Sequence, residues 1–211
     1  MDDSPLPLKR LYLVRHGQTD WNLAGRIQGH RPVPLNERGR AQAEILARFF
    51  TRFPIAAVWS SDLPRAVETA EQIAAPHGLG VRTTPALRER AFGPLEGMVG
   101  DEIEAFLAEG NFATRHEVPG VEEDAAILAR VLPVLDEVTK IEGEAVLVTH
   151  GGVQRTFLYH LLGLSSNPQR RFLVMENGLV VALRPEEGAW RLEGLYGLEL
   201  LARVLSVRVE G

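Results

Sequence analysis

Two histidines, two arginines and one carboxylate stand out in this chain for the way they are presented. Arg15-His16-Gly17 follows directly on the apolar run Leu11-Tyr12-Leu13-Val14. Such a run, bounded by Pro7 and Gly17, reads as a buried strand that ends by offering a guanidinium, an imidazole and a permissive backbone turn. A forked cation beside a nucleophile or base is what phosphate chemistry requires. Arg65 stands shortly after Ser60-Ser61-Asp62, Glu89 lies within Leu87-Arg88-Glu89, and His150 precedes Gly151-Gly152. The five residues span 135 positions, so only a particular fold brings them together.

The elements that must position them alternate between strand and helix. Asn36 is expected to cap a helix carrying Ala43, Ile45, Leu46, Phe49 and Phe50, which Pro54 stops before a strand over Ile55-Trp59. Asp62 is expected to cap the next helix, with Pro64 in its first turn and Ala66, Val67, Ala70, Ile73 and Ala74 on its buried side. That helix ends near Gly78, and a short strand is expected from Val81 to Thr84. Residues 90–120 hold glycines, no clear strand and one short helix near Asp101–Leu107. A long helix through Ile127, Val131, Leu135 and Val138 should bend at Pro133. The strand Ala145-Thr149 delivers His150, and a helix burying Val153, Phe157 and Leu161 follows. Two further strands, around Arg171–Met175 and Leu179–Arg184, lead to Trp190–Leu195. Repeated βα units imply an α/β fold, a mainly parallel sheet covered on both faces, with ligands beyond the carboxyl ends of its strands.

Composition narrows the function classes. The length suits one domain over residues 1–211 with a sizeable core. A net charge of -5 argues against general nucleic-acid binding. The absence of cysteine removes disulfide and thiol chemistry. The acidic start Met1-Asp2-Asp3-Ser4-Pro5 lacks a signal-peptide core, and no window reaches membrane-spanning length, so a cytoplasmic protein is expected.

Taken together, the motifs resemble those of the histidine phosphatase superfamily, the phosphoglycerate mutase-like fold. Five stretches carry the resemblance in the family's order: Arg15-His16-Gly17-Gln18-Thr19-Asp20-Trp21-Asn22; Pro34-Leu35-Asn36 through Gly39 and Gln42-Ala43; Ser60-Ser61-Asp62-Leu63-Pro64-Arg65-Ala66 with Thr69-Ala70; Leu87-Arg88-Glu89 with Phe92-Gly93 and Glu96-Gly97; and Val148-Thr149-His150-Gly151-Gly152. The resemblance implies a three-layer αβα sandwich. It also implies that His16 attacks phosphorus through a neutral ring nitrogen to form a phosphohistidine. His150 would donate hydrogen bonds to the transferred phosphate, and Arg15 and Arg65 would bracket its oxygens. Glu89 would protonate the leaving oxygen and then activate water. Asn22, Gln28 and the NH groups of Gly29 and Gly151 would add neutral donors. No metal and no other cofactor is expected. The remaining histidines, His30, His77, His116 and His160, read as structural or solvated, and Trp21 and Trp59 as core residues.

The segment at about 90–120 is expected to set the substrate. Nine acidic residues and one arginine lie between Glu96 and Asp124, and the longer basic insertion of the mutases is lacking. Such a wall disfavours a doubly phosphorylated substrate, so hydrolysis of a small phosphomonoester is preferred over mutase action. A catalytically idle module that binds phosphorylated ligands is the reading from another class. Phe92, Met98, Phe106, Leu107 and Phe112 either line a substrate pocket or pack the segment down. Glu122 stands where the family often shows Gly-Glu-Ser, without the serine. The protein is expected to work as a monomer or homodimer.

Overall fold

A computed structural model describes residues 7–164 and 173–205. Its frame is a six-stranded sheet made of β1 (Leu8–Arg15), β2 (Ile55–Ser61), β3 (Val81–Thr84), β4 (Gly143–Thr149), β5 (Val180–Glu186) and β6 (Ala189–Tyr196). The strand order is β3-β2-β4-β1-β5-β6. The first four in that order are parallel, and β5 and β6 are antiparallel to their neighbours.

Alternation along the strands divides the core. Leu11 and Leu13 face one side with Ala145 and Leu147, while Tyr12 and Val14 face the other with Val146 and Val148. The first face is covered by α5 (Asp124–Val138) and α6 (Gly151–Leu161), through residues such as Ile127, Val131, Val153 and Phe157. The second is covered by α2 (Glu37–Phe50), α3 (Pro64–Ala74) and α7 (Leu198–Val204), through Leu46, Phe50, Ile73 and Leu201. Two short-range elements complete the set: the single turn α1 (Asp20–Leu23) and α4 (Gly100–Glu109). This is the three-layer αβα arrangement expected from the sequence.

Asn36 caps α2 by accepting the Gly39 NH at 2.8 Å. Pro133 lies inside α5. Two expectations need correction. The N-cap of α3 is Leu63, with no side-chain cap, because the Asp62 carboxylate instead takes both arms of Arg88 at 2.6 Å. A bidentate charged pair is stronger than one capping bond, and Pro64 in the first turn has no NH to cap. The strand expected around Arg171–Met175 is not formed where it is described: Leu173–Met175 has no regular structure, and Arg171 lies outside the described residues. Here the Met175 carbonyl accepts from the Arg15 guanidinium rather than from a neighbouring strand. After Leu195 the chain ends β6 at Tyr196 and then forms α7, which packs on α2.

Candidate active site

Sheet register explains why the two histidines meet. Arg15 pairs with Thr149 across the parallel strands β1 and β4, so His16 and His150 leave adjacent strands at the same level. The His16 NH donates to the Thr149 carbonyl at 3.1 Å, and the two imidazole centroids are 5.0 Å apart. Both rings are almost fully buried, at 2% and 0% exposure.

One hydrogen bond fixes the His16 tautomer. Nδ1 lies 2.6 Å from the Gly17 carbonyl, which can only accept, so Nδ1 carries the proton. Nε2 then holds the lone pair, and Arg65 Nε donates to it at 3.2 Å. Burial, followed by the charges of Arg65 and Arg15, holds the His16 pKa well below its usual value against a small opposing effect of the Gly17 carbonyl. The His150 pKa is lowered in the same way, first by burial and then by Arg65, His16 and Arg15. Both rings are therefore neutral near pH 7.

Arg65 reaches this point from the first turn of α3, fully buried. Its Nη1 donates to the Arg31 carbonyl at 2.9 Å and its Nη2 to the Gly29 carbonyl at 2.8 Å. Arg15 enters from the end of β1 and is held through Nη1 by the Met175 carbonyl. Burial lowers both guanidinium pKa values to about 10, with Glu89 opposing, so both remain charged at neutral pH. Among the described residues neither makes a direct ion pair. Arg15 Nε and both ring nitrogens of His150 are buried without a hydrogen-bond partner. Unsatisfied buried polar groups are costly, and their gathering around two cations marks a place built for an anion with several oxygens.

Glu89 closes the site from the segment that follows β3. Its Oε2 accepts the Gly152 NH at 3.1 Å, in the first turn of α6, and its Oε1 accepts the Arg90 NH at 2.8 Å. An added Cβ at Gly152 would lie 2.2 Å from Glu89 Oε1, so glycine there makes room for the carboxylate. The five residues singled out for chemistry thus converge at the carboxyl ends of β1, β2 and β4.

A family model of the histidine phosphatase superfamily (branch 1) matches residues 11–196. The chain belongs to that superfamily. It is 41% identical over 165 residues to phosphoglycerate mutase-like protein 4 of Arabidopsis thaliana, covering 74% of this chain and 72% of that one. It is similar to a solved mycobacterial glucosyl-3-phosphoglycerate phosphatase complexed with VO3, at 31% identity and a TM-score of 0.77 over 88% of this chain and 97% of that one. A solved phosphoserine phosphatase of Entamoeba histolytica aligns at 26% identity and a TM-score of 0.73, over 91% of this chain and 98% of that one. The solved neighbours support a phosphatase of the histidine phosphatase superfamily.

The neutral donors expected of this histidine phosphatase are placed unevenly. Asn22 Oδ1 is occupied by Thr19, in the α1 capping box, and by Asn177 at 3.2 Å, which leaves its NH2 as the group able to donate. Gln28 is buried and its Oε1 has no partner. Gly29 engages through its carbonyl on Arg65, and its φ of 49° lies in the left-handed region. A Cβ at Gly151 would meet Arg15 Nε at 3.2 Å, so Gly151 lets the guanidinium lie against the start of α6. Two residues near the site carry no signal in the sequence. Asn177 donates to the carbonyls of His16 and Gly17 and to Asn22. Arg130, from α5, donates to the Glu89 carbonyl. Neither sits in a motif, and each works mainly through backbone carbonyls, which leave no pattern of residue types.

The segment at about 90–120 packs down. Phe92, Met98, Phe106, Leu107 and Phe112 surround Leu95, Val118 and Val121 in a third apolar cluster. Much of its acidity is used locally: Glu96 accepts the His30 and Phe92 NH groups, Glu102 the Val99 NH, and Glu117 the Ala113 NH. Glu122 pairs with Arg130 and Asp124 with Arg90. Trp59 is a core residue as expected, whereas Trp21 is only half-buried, with Arg26 over its ring at 5.7 Å.

Proposed function

We propose that this protein is a cytoplasmic, metal-independent phosphomonoesterase that works through a phosphohistidine on His16. The observation that carries the reading is the His16 ring itself. Its Nδ1–H is committed to the Gly17 carbonyl, which leaves the Nε2 lone pair in contact with Arg65 and next to His150. A neutral imidazole with a fixed lone pair inside a cationic, water-poor site is a prepared nucleophile.

In the first step Nε2 attacks phosphorus, the bond from phosphorus to the ester oxygen breaks, and Glu89 gives the leaving oxygen its proton. Arg15, Arg65 and His150 hold the three remaining phosphoryl oxygens, with Asn22, Gln28 and the Gly29 and Gly151 NH groups as neutral donors. In the second step Glu89 takes a proton from water, the water oxygen bonds to phosphorus, and the N–P bond returns its electrons to Nε2. Inorganic phosphate leaves and both side chains are restored. Arg15 and Arg65 supply the positive field and the neutral His150 adds a hydrogen-bond donor, so neither step is written through a metal or other cofactor.

The substrate is a small phosphomonoester, and residues 90–120 shape its approach within a single domain over residues 1–211. No second cluster of cations for a bisphosphate is contributed by the acidic α4 segment, which favours hydrolysis over mutase action. Among the described residues no helix is long and apolar enough to cross a membrane. The test is phosphate release from a panel of monophosphate esters with chelator present. Turnover by the wild type that disappears in His16→Ala is expected. Exchange of 2- and 3-phosphoglycerate faster than hydrolysis would identify a mutase instead, and binding without turnover an idle module.

A further inference from the structure

Glu89 stands on backbone that no strand or helix supports. β3 ends at Thr84, a 3-10 turn covers Pro85–Leu87, and the chain then runs irregularly. Yet the four carbonyls of Ala86, Leu87, Arg88 and Glu89 are all held by side chains. Arg130 Nη1 donates to the Ala86 and Arg88 carbonyls, both at 2.7 Å, and Nη2 to the Glu89 carbonyl at 3.2 Å. Thr149 Oγ1 donates to the Leu87 carbonyl at 2.8 Å, and His30 Nε2 shares that of Glu89 at 2.8 Å. Arg130 is itself aimed by Glu122, which accepts Nε at 2.7 Å and Nη2 at 2.9 Å.

We infer that Arg130, oriented by Glu122, is the positioning residue for Glu89: its fork replaces the missing sheet ladder and sets where the carboxylate meets the leaving oxygen. Three carbonyls and one carboxylate on a single guanidinium make a planar, rigid clamp, and lysine has one point charge to offer in its place. Proton transfer depends steeply on donor–acceptor geometry, so a loosened clamp weakens general acid catalysis before it weakens phosphate binding. The direct hydrogen bonds of Arg130 and Glu122 lie on the Glu89 side of the site, Arg15, Arg65 and His16 being held by other groups, while the charge of Arg130 also helps to lower the His150 pKa.

This inference rests on Glu89 as the general acid, and leaving-group dependence separates the two claims. An alkyl ester needs a proton on its leaving oxygen, whereas p-nitrophenolate departs without one. For Arg130→Lys and Glu122→Gln, kcat/KM on the best alkyl ester of the panel is expected to fall by about tenfold or more, and on p-nitrophenyl phosphate by less than about threefold. Glu89→Gln should show the same selectivity more strongly. Equal losses on both esters in the Arg130 and Glu122 variants, with the Glu89 variant still selective, would overturn the positioning role. Equal losses in Glu89→Gln would overturn the general-acid reading on which it stands. Glu122→Gln keeps the arginine in place, so it tests the clamp even if Arg130→Lys folds poorly.

Discussion

Gly29 shows how much of this site is settled by single residues away from the chemistry. Its carbonyl steers Arg65, its φ is 49°, and an added Cβ would fall 2.1 Å from Glu96 Oε1. Any side chain there must strain the backbone and displace the carboxylate that accepts the His30 and Phe92 NH groups. Gly29→Ala is expected to lower stability by about 1–3 kcal/mol in urea titrations. It should also lower kcat by about tenfold or more, because a guanidinium shifted by a fraction of an ångström no longer fits the phosphoryl oxygens. The histidines and arginines were legible in the sequence because each is a reactive residue type at a strand end or helix start, and Glu89 because it stands in the stretch Leu87-Arg88-Glu89 that resembles the family's acid motif. Asn177 and Arg130 were not, since most of their partners are main-chain carbonyls brought near by folding. Asp62 resembles a cap in the sequence for the related reason that its actual partner, Arg88, is 26 residues away.

At the scale of elements, the approach of α2 to the loop after β1 sets propensity against packing. Gly39 lies in the first turn of α2, where alanine would favour the helix by about 1 kcal/mol. A Cβ at Gly39, however, would sit 2.0 Å from the Gln18 carbonyl, and one at Gly17 would sit 2.4 Å from the Gly39 carbonyl. The two backbones touch, and neither can yield without moving His16. Gly39→Ala is therefore expected to destabilise by about 1–3 kcal/mol despite the better helix former, with activity lost alongside. Thermal denaturation decides the sign. The alternating βα units were readable from apolar spacing, as α2, α3, α5 and α6 attest. The antiparallel pairing of β5 with β6 was not, because the same apolar run serves either direction and only the turn at Gly188, with φ of 68°, reverses the chain.

For the whole molecule, burying two neutral imidazoles couples folding to pH. Both folded pKa values lie well below the unfolded value of about 6.5, so below that pH the unfolded chain binds more protons than the folded one. Stability contributed by the neutral rings is full above about pH 6.5 and declines as pH falls beneath it, by up to about 1.4 kcal/mol per unit for each ring. Urea midpoints between pH 7 and 5.5 should drop accordingly, and His16→Gln or His150→Gln should flatten the slope. A wild-type midpoint that does not change over that range would mean that the rings are not held neutral.

The central claim is a covalent bond from phosphorus to His16, and rapid-quench trapping with a labelled phosphomonoester tests it most directly. Protein-bound label that is acid-labile, maps to His16, forms and decays fast enough to account for turnover, and is absent from His16→Ala is the expected result. Full turnover with no label on His16 at any time, or label retained in His16→Ala, would contradict it.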